Sequence, residues 1–306
     1  MVIYELKTMQ ICEIHESTVV ALGTFDGCHA GHISVFSSCR SLAMKMGVKS
    51  VAYTFSSLPK NKISGMEQRQ IFTLDEKIRA IRESGIDYIC VESFEDIMNL
   101  DGNSFLSSVL VEKLHAVGAC CGFNFRFGKG AKCNASDLKL FFENIGGCVD
   151  ICDKIPYEND AISSSLLRSF IEKGQVERLL SISRPYSIYA MVEHGKELGR
   201  TIGIPTINQR IPDGKVIPAR GVYITECEIG EDVFPSITNV GIRPTVNDGF
   251  GENMETYIIG YSGNLYGSYV RVNFYKFIRE EKRFDSLDDL KSEIEENAKE
   301  AINFFK

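Results

Sequence analysis

Two textures of hydrophobic and polar positions divide the chain. Up to about residue 183, short apolar runs rich in β-branched residues alternate with stretches whose apolar residues recur at helical spacing. Strands are predicted at Ser17–Phe25, Val48–Phe55, Tyr88–Val91, Ala116–Gly122 and Val149–Ile151. Helices are predicted at His32–Met46, Thr73–Ser84, Ser104–Leu114, Ser136–Asn144 and Ser163–Lys173, with Thr73 and Glu76 fitting a capping box. Such alternation predicts a parallel sheet with helices on both faces. From Tyr186 to Phe277 the runs turn short and β-like, punctuated by Gly and Pro (SIYAMVEHG, GVYITECEIG, DVFPSITNVG, METYIIGYSG, YVRVNFYKFI), which is the pattern of an antiparallel barrel or sandwich. A single amphipathic helix, Ser286–Phe305, closes the chain. The expected architecture is α/β plus β, with residues 1–184 and 185–306 as two domains and the boundary near Arg184–Pro185.

Composition narrows the function without naming it. With 306 residues, 44% of them hydrophobic, the chain has apolar material for two cores. A formal charge of -7 argues against non-specific attraction to nucleic acid or an anionic membrane. Ten cysteines contain no CxxC pair, so neither a zinc ribbon nor a thioredoxin-type redox site is suggested, and reduced, mostly buried thiols are expected. The N-terminus lacks a signal-peptide core and no apolar run approaches the ~20 residues of a membrane span, so a cytoplasmic protein is expected.

The strongest local signal is Gly23–His32, GTFDGCHAGH, where a strand runs into a glycine-rich turn and the start of a helix. Glycines let backbone amides approach phosphate, and a helix N-terminus offers free N–H donors. His29 and His32 are three apart, so on a first helical turn they face the same way and can donate to phosphate oxygens during an in-line displacement. In the second half, Gly195–Asn208 reads GKELGRTIGIPTIN. Gly199 and Gly203 suit a loop folding over phosphates, while Thr206 and Asn208 alternate to one strand face, where their oxygens suit a hard cation. Glu255 is a lone carboxylate in the run NMETY, read by default as a solvated edge-strand residue.

Taken in order, these segments resemble the prokaryotic bifunctional riboflavin kinase/FMN adenylyltransferase (FAD synthetase) family. Gly23-x-Phe25-Asp26-Gly27-x-His29-x-Gly31-His32 is similar to the HxGH signature of nucleotidylyltransferases. Gly122–Gly128 (GFNFRFG) resembles the family's second block, and Ile162–Arg168 (ISSSLLR) its third. Gly195–Asn208 resembles the kinase signature GxxxGRxxGxPTxN with every lettered position filled, and the runs Asn239–Thr245, Leu265–Gly267 and Arg279–Leu287 also match.

The resemblance implies a Rossmann-like adenylyltransferase domain followed by a six-stranded barrel carrying the kinase. It implies phosphorylation of riboflavin to FMN with release of ADP, then adenylylation of FMN to FAD with release of pyrophosphate, both from ATP with Mg²⁺. It further implies catalytic roles for Glu255 (as base), His29, His32 and Arg168; ATP contacts from Gly23, Phe25, Asp26, Gly31, Ser163, Ser164, Gly199 and Gly203; flavin contacts from Asn124, Phe125, Arg126, Arg279 and Phe284; and metal ligation by Thr206 and Asn208. A monomer or weak homo-oligomer is expected. The chain departs from the family pattern at Phe55–Pro59 (FSSLP, where FEPHP is common), at Cys133 and at Gly260. Two alternatives stay open: a chain that retains only the kinase activity, and a non-catalytic flavin- or nucleotide-binding regulator.

Overall fold

The computed structural model describes residues 1–59, 68–195, 199, 203–245 and 249–306, without the side chains of residues 242–245 and 249–251. Arg200 of the kinase-like signature and the side chains of Arg243, Pro244 and Thr245 therefore lie outside the described residues. The chain forms two compact units, Met1–Ser164 and Ser165–Lys306.

The first unit is built on a sheet of strands β1 (Val2–Glu5), β2 (Gln10–Ile11), β3 (Thr18–Leu22), β4 (Lys49–Phe55), β5 (Tyr88–Glu92), β6 (Ala116–Gly122) and β7 (Cys148–Cys152), in the order β2-β1-β5-β4-β3-β6-β7. Strands β3 to β7 are mutually parallel, and β1 adds antiparallel to β5. Every residue of β3 is buried, as expected of a strand covered on both faces. Helices α1 (Ala30–Met46), α2 (Leu74–Glu83) and α3 (Ala135–Asn144) connect the strands. The capping box predicted at Thr73 and Glu76 is present. The stretch predicted as an α-helix at Ser104–Leu114 winds instead as a π-helix over Phe105–Lys113. Its i→i+5 spacing stacks the buried pairs Phe105/Leu110 and Val109/Leu114 on the core.

Strand order decides where this unit can bind. From β3 the chain steps outward to β4 and β5, then returns to place β6 on the other flank of β3. The crevice beyond the carboxyl ends of β3 and β6 is thus the topological switch point of the sheet. Leu22 pairs with Cys121 there, so the segments that follow, Gly23–His32 and Gly122–Gly128, emerge side by side.

The second unit is a closed barrel of β8 (Tyr186–Glu193), β9 (Thr206–Arg210), β10 (Gly221–Ile229), β11 (Asp232–Thr245), β12 (Gly249–Ile258) and β13 (Tyr269–Arg279), in the order β8-β9-β12-β11-β10-β13. All pairings are antiparallel. The interior holds a ladder of hydroxyls: Thr225 bonds Ser236 and Thr238 at 2.8 Å, and Thr238 bonds Thr256 at 2.9 Å. Gln209 donates to the carbonyls of Ala190 and Val270 at 2.7 and 2.8 Å. The hydroxyls are satisfied by one another, as buried polar groups require, whereas Gln209 Oε1 is buried without a partner among the described residues. Helix α4 (Ser164–Glu172) begins as the first unit ends, and the Ile171 carbonyl accepts from Ala219 N–H. The closing helix α5 (Leu287–Phe304), capped by Ser286, lays Ala301 on Ile224 and Ile237 outside the barrel.

Candidate active sites

In the first unit, the turn after β3 is held in a conformation few residues adopt: φ is 49° at Phe25, 81° at Gly27 and 35° at Cys28. The carboxylate of Asp26 fixes it by accepting the backbone N–H groups of Ile71 (2.9 and 3.1 Å) and Phe72 (3.0 Å). Thr54 donates to the Thr24 carbonyl at 2.9 Å, and Ser164 donates to the Asp26 carbonyl at 2.8 Å. His29 caps α1 with its backbone, its carbonyl accepting from His32 and Ile33. The two imidazoles stack with centroids 3.7 Å apart and 19° between planes.

Their Nδ1 atoms are buried without a hydrogen-bond partner among the described residues, which leaves the pair able to take an acceptor or donor from a ligand. Burial pushes His29 down to about 4, with Asp26 opposing. His32 is pushed well below its ordinary value by burial first, then by His29 and Lys77. Both rings are therefore neutral at pH 7, and each still carries one N–H to donate. Gly31 eases this packing, since a Cβ there would press on the His29 ring at 3.1 Å.

Several expected ligand contacts take other work. Phe25 is wholly buried, its ring edge-on to His32 at 5.4 Å and tilted on Phe36 at 4.4 Å, so it buttresses His32 rather than lining a site. Asp26 organises the turn through backbone amides, as described. In the second segment, Asn124 and Arg126 are exposed, and half-buried Phe125 stacks on Phe127 at 5.7 Å. Ser163 precedes α4, and Arg168 lies buried one turn along it. Within the departure Phe55–Pro59, Leu58 is buried.

In the barrel, inward-facing Ile207, Gln209, Met254 and Thr256 leave Thr206, Asn208, Asn253, Glu255 and Tyr257 on the outer face. Glu255 pairs across with Asn208 on one side and Asn239 on the other, so it sits mid-sheet and exposed, not on an edge strand. Asn253 donates to Asn208 Oδ1 at 3.3 Å. The glycines of the signature are close-approach positions. A Cβ at Gly195 would stand 2.3 Å from Asn208 Nδ2, and one at Gly199 would stand 2.2 Å from the Ile204 carbonyl and 3.4 Å from Thr206 Oγ1. Gly203 supplies the turn at φ 78°.

A pocket of about 290 Å³ opens beside Thr206, lined in part by Val192, Pro205, Ile258, Tyr261, Leu265 and Tyr266. Among the described residues no cluster of three His, Cys, Asp or Glu side chains stands ready for a metal. The neutral oxygens of Thr206 and Asn208 fit a cation that is completed by phosphates and water. Arg279, expected against flavin, is engaged by α5: its guanidinium pairs with Glu293 at 2.8 Å and donates to Asn297 at 3.2 Å, with Phe284 5.8 Å from it.

Two residues of these neighbourhoods escape sequence reasoning. Lys77, beneath the histidine turn, is a charged residue on the buried stripe of α2 beside Ile81 and Ile78, and that position is the only signal it gives. Glu281 accepts from Asn239 at 3.0 Å, and nothing in its charged run singles it out.

Comparison with known proteins finds a family match for each half of the chain. The FAD synthetase family model matches residues 11–166 and the riboflavin kinase family model residues 182–305. A Bacillus subtilis bifunctional riboflavin kinase/FMN adenylyltransferase is 29% identical over 98% of both chains, and an Escherichia coli one is 31% identical over 95% of this chain and 93% of its own. The crystal structure of a Streptococcus pneumoniae chain called macrolide-efflux protein superposes with a TM-score of 0.84 at 29% identity, covering 98% of this chain and 97% of that one. No helix among the described residues here is long and apolar enough to cross a membrane. Two family matches in chain order, with a relative 31% identical over 95% of this chain, lead to one conclusion: the chain belongs to the bifunctional riboflavin kinase/FMN adenylyltransferase family.

Proposed function

We propose that the barrel phosphorylates riboflavin with Glu255 as general base, and that the α/β unit adenylylates the resulting FMN through His29 and His32. In the first reaction the ribityl 5′-hydroxyl is neutral at pH 7 and needs a proton acceptor as it attacks the γ-phosphorus of ATP. Glu255 is exposed on the face that carries Thr206 and Asn208. Thr206 and Asn208 would hold Mg²⁺, which offsets phosphate charge when bound. The Gly195 and Gly199 backbones cover those two side chains, and the pocket beside Thr206 suits the nucleobase of ATP.

In the second reaction the nucleophile is the FMN phosphate, already an anion, so no base is required. Attack at the α-phosphorus expels pyrophosphate. The neutral imidazoles of His29 and His32 donate to oxygens on which charge accumulates, helped by the amides at the start of α1. Arg168 is assigned to the same reaction by its place in the third block, and Asn124, Phe125 and Arg126 to flavin recognition.

The observation that carries this reading is the stacked imidazole pair at the sheet's switch point, whose buried Nδ1 atoms have no hydrogen-bond partner among the described residues. The test is separation of function, followed as FMN and FAD by chromatography. Glu255→Gln lowers FMN formation by ~10²–10⁴-fold and leaves FAD formation from supplied FMN intact. His29→Asn does the reverse, lowering adenylyl transfer by ~10²–10³-fold. Wild-type FMN formation by Glu255→Gln would remove Glu255 as the base, and wild-type FAD formation by His29→Asn would remove the histidine assignment.

A further inference from the structure

Among the described lysines and arginines of the first unit Lys77 is the most buried, 2% exposed and carried on the inner face of α2. Its ammonium donates to the carbonyl of Phe55, the last residue of β4, at 2.8 Å. The Asp26 carboxylate and the Cys28 thiol of the turn after β3 act on it electrostatically, and it acts in turn on His32 of α1. Glu76, its neighbour on α2, is turned back to cap the helix through Thr73 N–H. Burying an ammonium is costly unless charge and hydrogen bonds compensate it, and a methionine of similar volume would fill the same space more cheaply. Packing alone therefore does not account for a lysine here.

We propose that Lys77 is a positioning residue for adenylyl transfer: from beneath the histidine turn, its ammonium clamps the end of β4 to the Asp26 loop and so holds the stacked His29–His32 pair in place. The inference rests on the reading that this pair performs the transfer. The clamp joins three elements at one point. Asp26 reaches the start of α2 through the amides of Ile71 and Phe72. Lys77, from the first turns of α2, reaches Phe55. The β4 strand is tied again to the turn by Thr54.

The ammonium has a second effect, electrostatic in kind. A positive charge near His32 disfavours a second one on the ring, so Lys77 adds to burial and to His29 in holding His32 unprotonated. The triphosphate then meets two neutral donors above a buried cation.

Three substitutions in the full chain separate the clamp from packing. Lys77→Met removes donor and charge, Lys77→Gln keeps a donor without charge, and Lys77→Arg keeps the charge. The readouts are kcat for FAD formation from FMN, riboflavin kinase activity in the same preparation, and a ¹⁵N-histidine NMR titration with the His32 signal assigned through His32→Asn. Lys77→Met is expected to lower kcat on the order of 10²-fold, the scale of a small misplacement, with kinase activity unchanged. In both Met and Gln variants the His32 titration should move upward toward its ordinary value, whereas Lys77→Arg should leave it in place.

A wild-type kcat in Lys77→Met overturns the proposal. So does a loss of activity with an unmoved His32 titration, since a merely structural lysine gives that result. If Lys77→Met fails to fold, Lys77→Gln decides on the same two readouts. Failure of the underlying site assignment would appear separately, as full adenylyl transfer by His29→Asn.

Discussion

His29 shows what burial does to a single side chain. Its titration is pushed from the ordinary histidine value down to about 4, chiefly by desolvation, while Asp26 pulls the other way. The fold favours the neutral ring, so stability linked to His29 is complete above the unfolded value near 6.5 and is lost as pH falls from there toward 4. Thermal melts of the intact chain between pH 7 and pH 4 are expected to show falling stability of the α/β unit. The slope should flatten in His29→Asn, and an equal slope in that variant would show that His29 stays solvated. Sequence spacing is enough to bring His29 and His32 to one side of a helix start. It does not indicate that both are buried and neutral, because desolvation depends on Phe25, Phe36 and α2 closing around them.

At the scale of elements, the kinase signature reads as packing as much as chemistry. Gly195 passes within a Cβ's reach of Asn208 and Gly199 of the Ile204 carbonyl, while Gly203 takes a positive φ. Gly195→Ala is expected to push Asn208 off the outer face of β9 and cut FMN formation on the order of 10²-fold, with FAD formation from FMN unaffected. Equal activity of the variant, measured at saturating Mg²⁺ and ATP, would show that Asn208 tolerates displacement. The same scale explains a misreading of Glu255. In sequence, one carboxylate in a β-like run resembles an edge residue, but a closed barrel has no edges, and β12 is flanked by β9 and β11. Alternation then fixes which neighbours share its face: Asn208, Asn253 and Asn239 do, Thr256 and Met254 do not.

For the whole molecule, the two units each carry a complete set of motifs and fold around separate cores. FMN is the product of one and the substrate of the other. Mixing Glu255→Gln with His29→Asn is therefore expected to restore conversion of riboflavin to FAD, which neither variant performs alone. FMN that accumulates in the mixture without becoming FAD would mean that the intermediate is not exchanged between molecules.

What the sequence determined by itself was the type of the principal strands and helices, apart from the π-wound stretch and the short β1 and β2, together with the order of motifs and their chemical classes. Periodicity and glycine spacing are local properties, and local conformational preference is enough to set them. Assembly decided the rest. Strand order brought Gly23–His32 beside Gly122–Gly128, two segments nearly a hundred residues apart, by returning β6 to the flank of β3. Barrel closure set Glu255 between two asparagines, and α5 drew Arg279 into an ion pair with Glu293. Packing turned Asp26 toward backbone amides and buried Lys77 under the histidines. Each of these depends on groups distant in the chain being brought together and dried, and no window of sequence contains both partners.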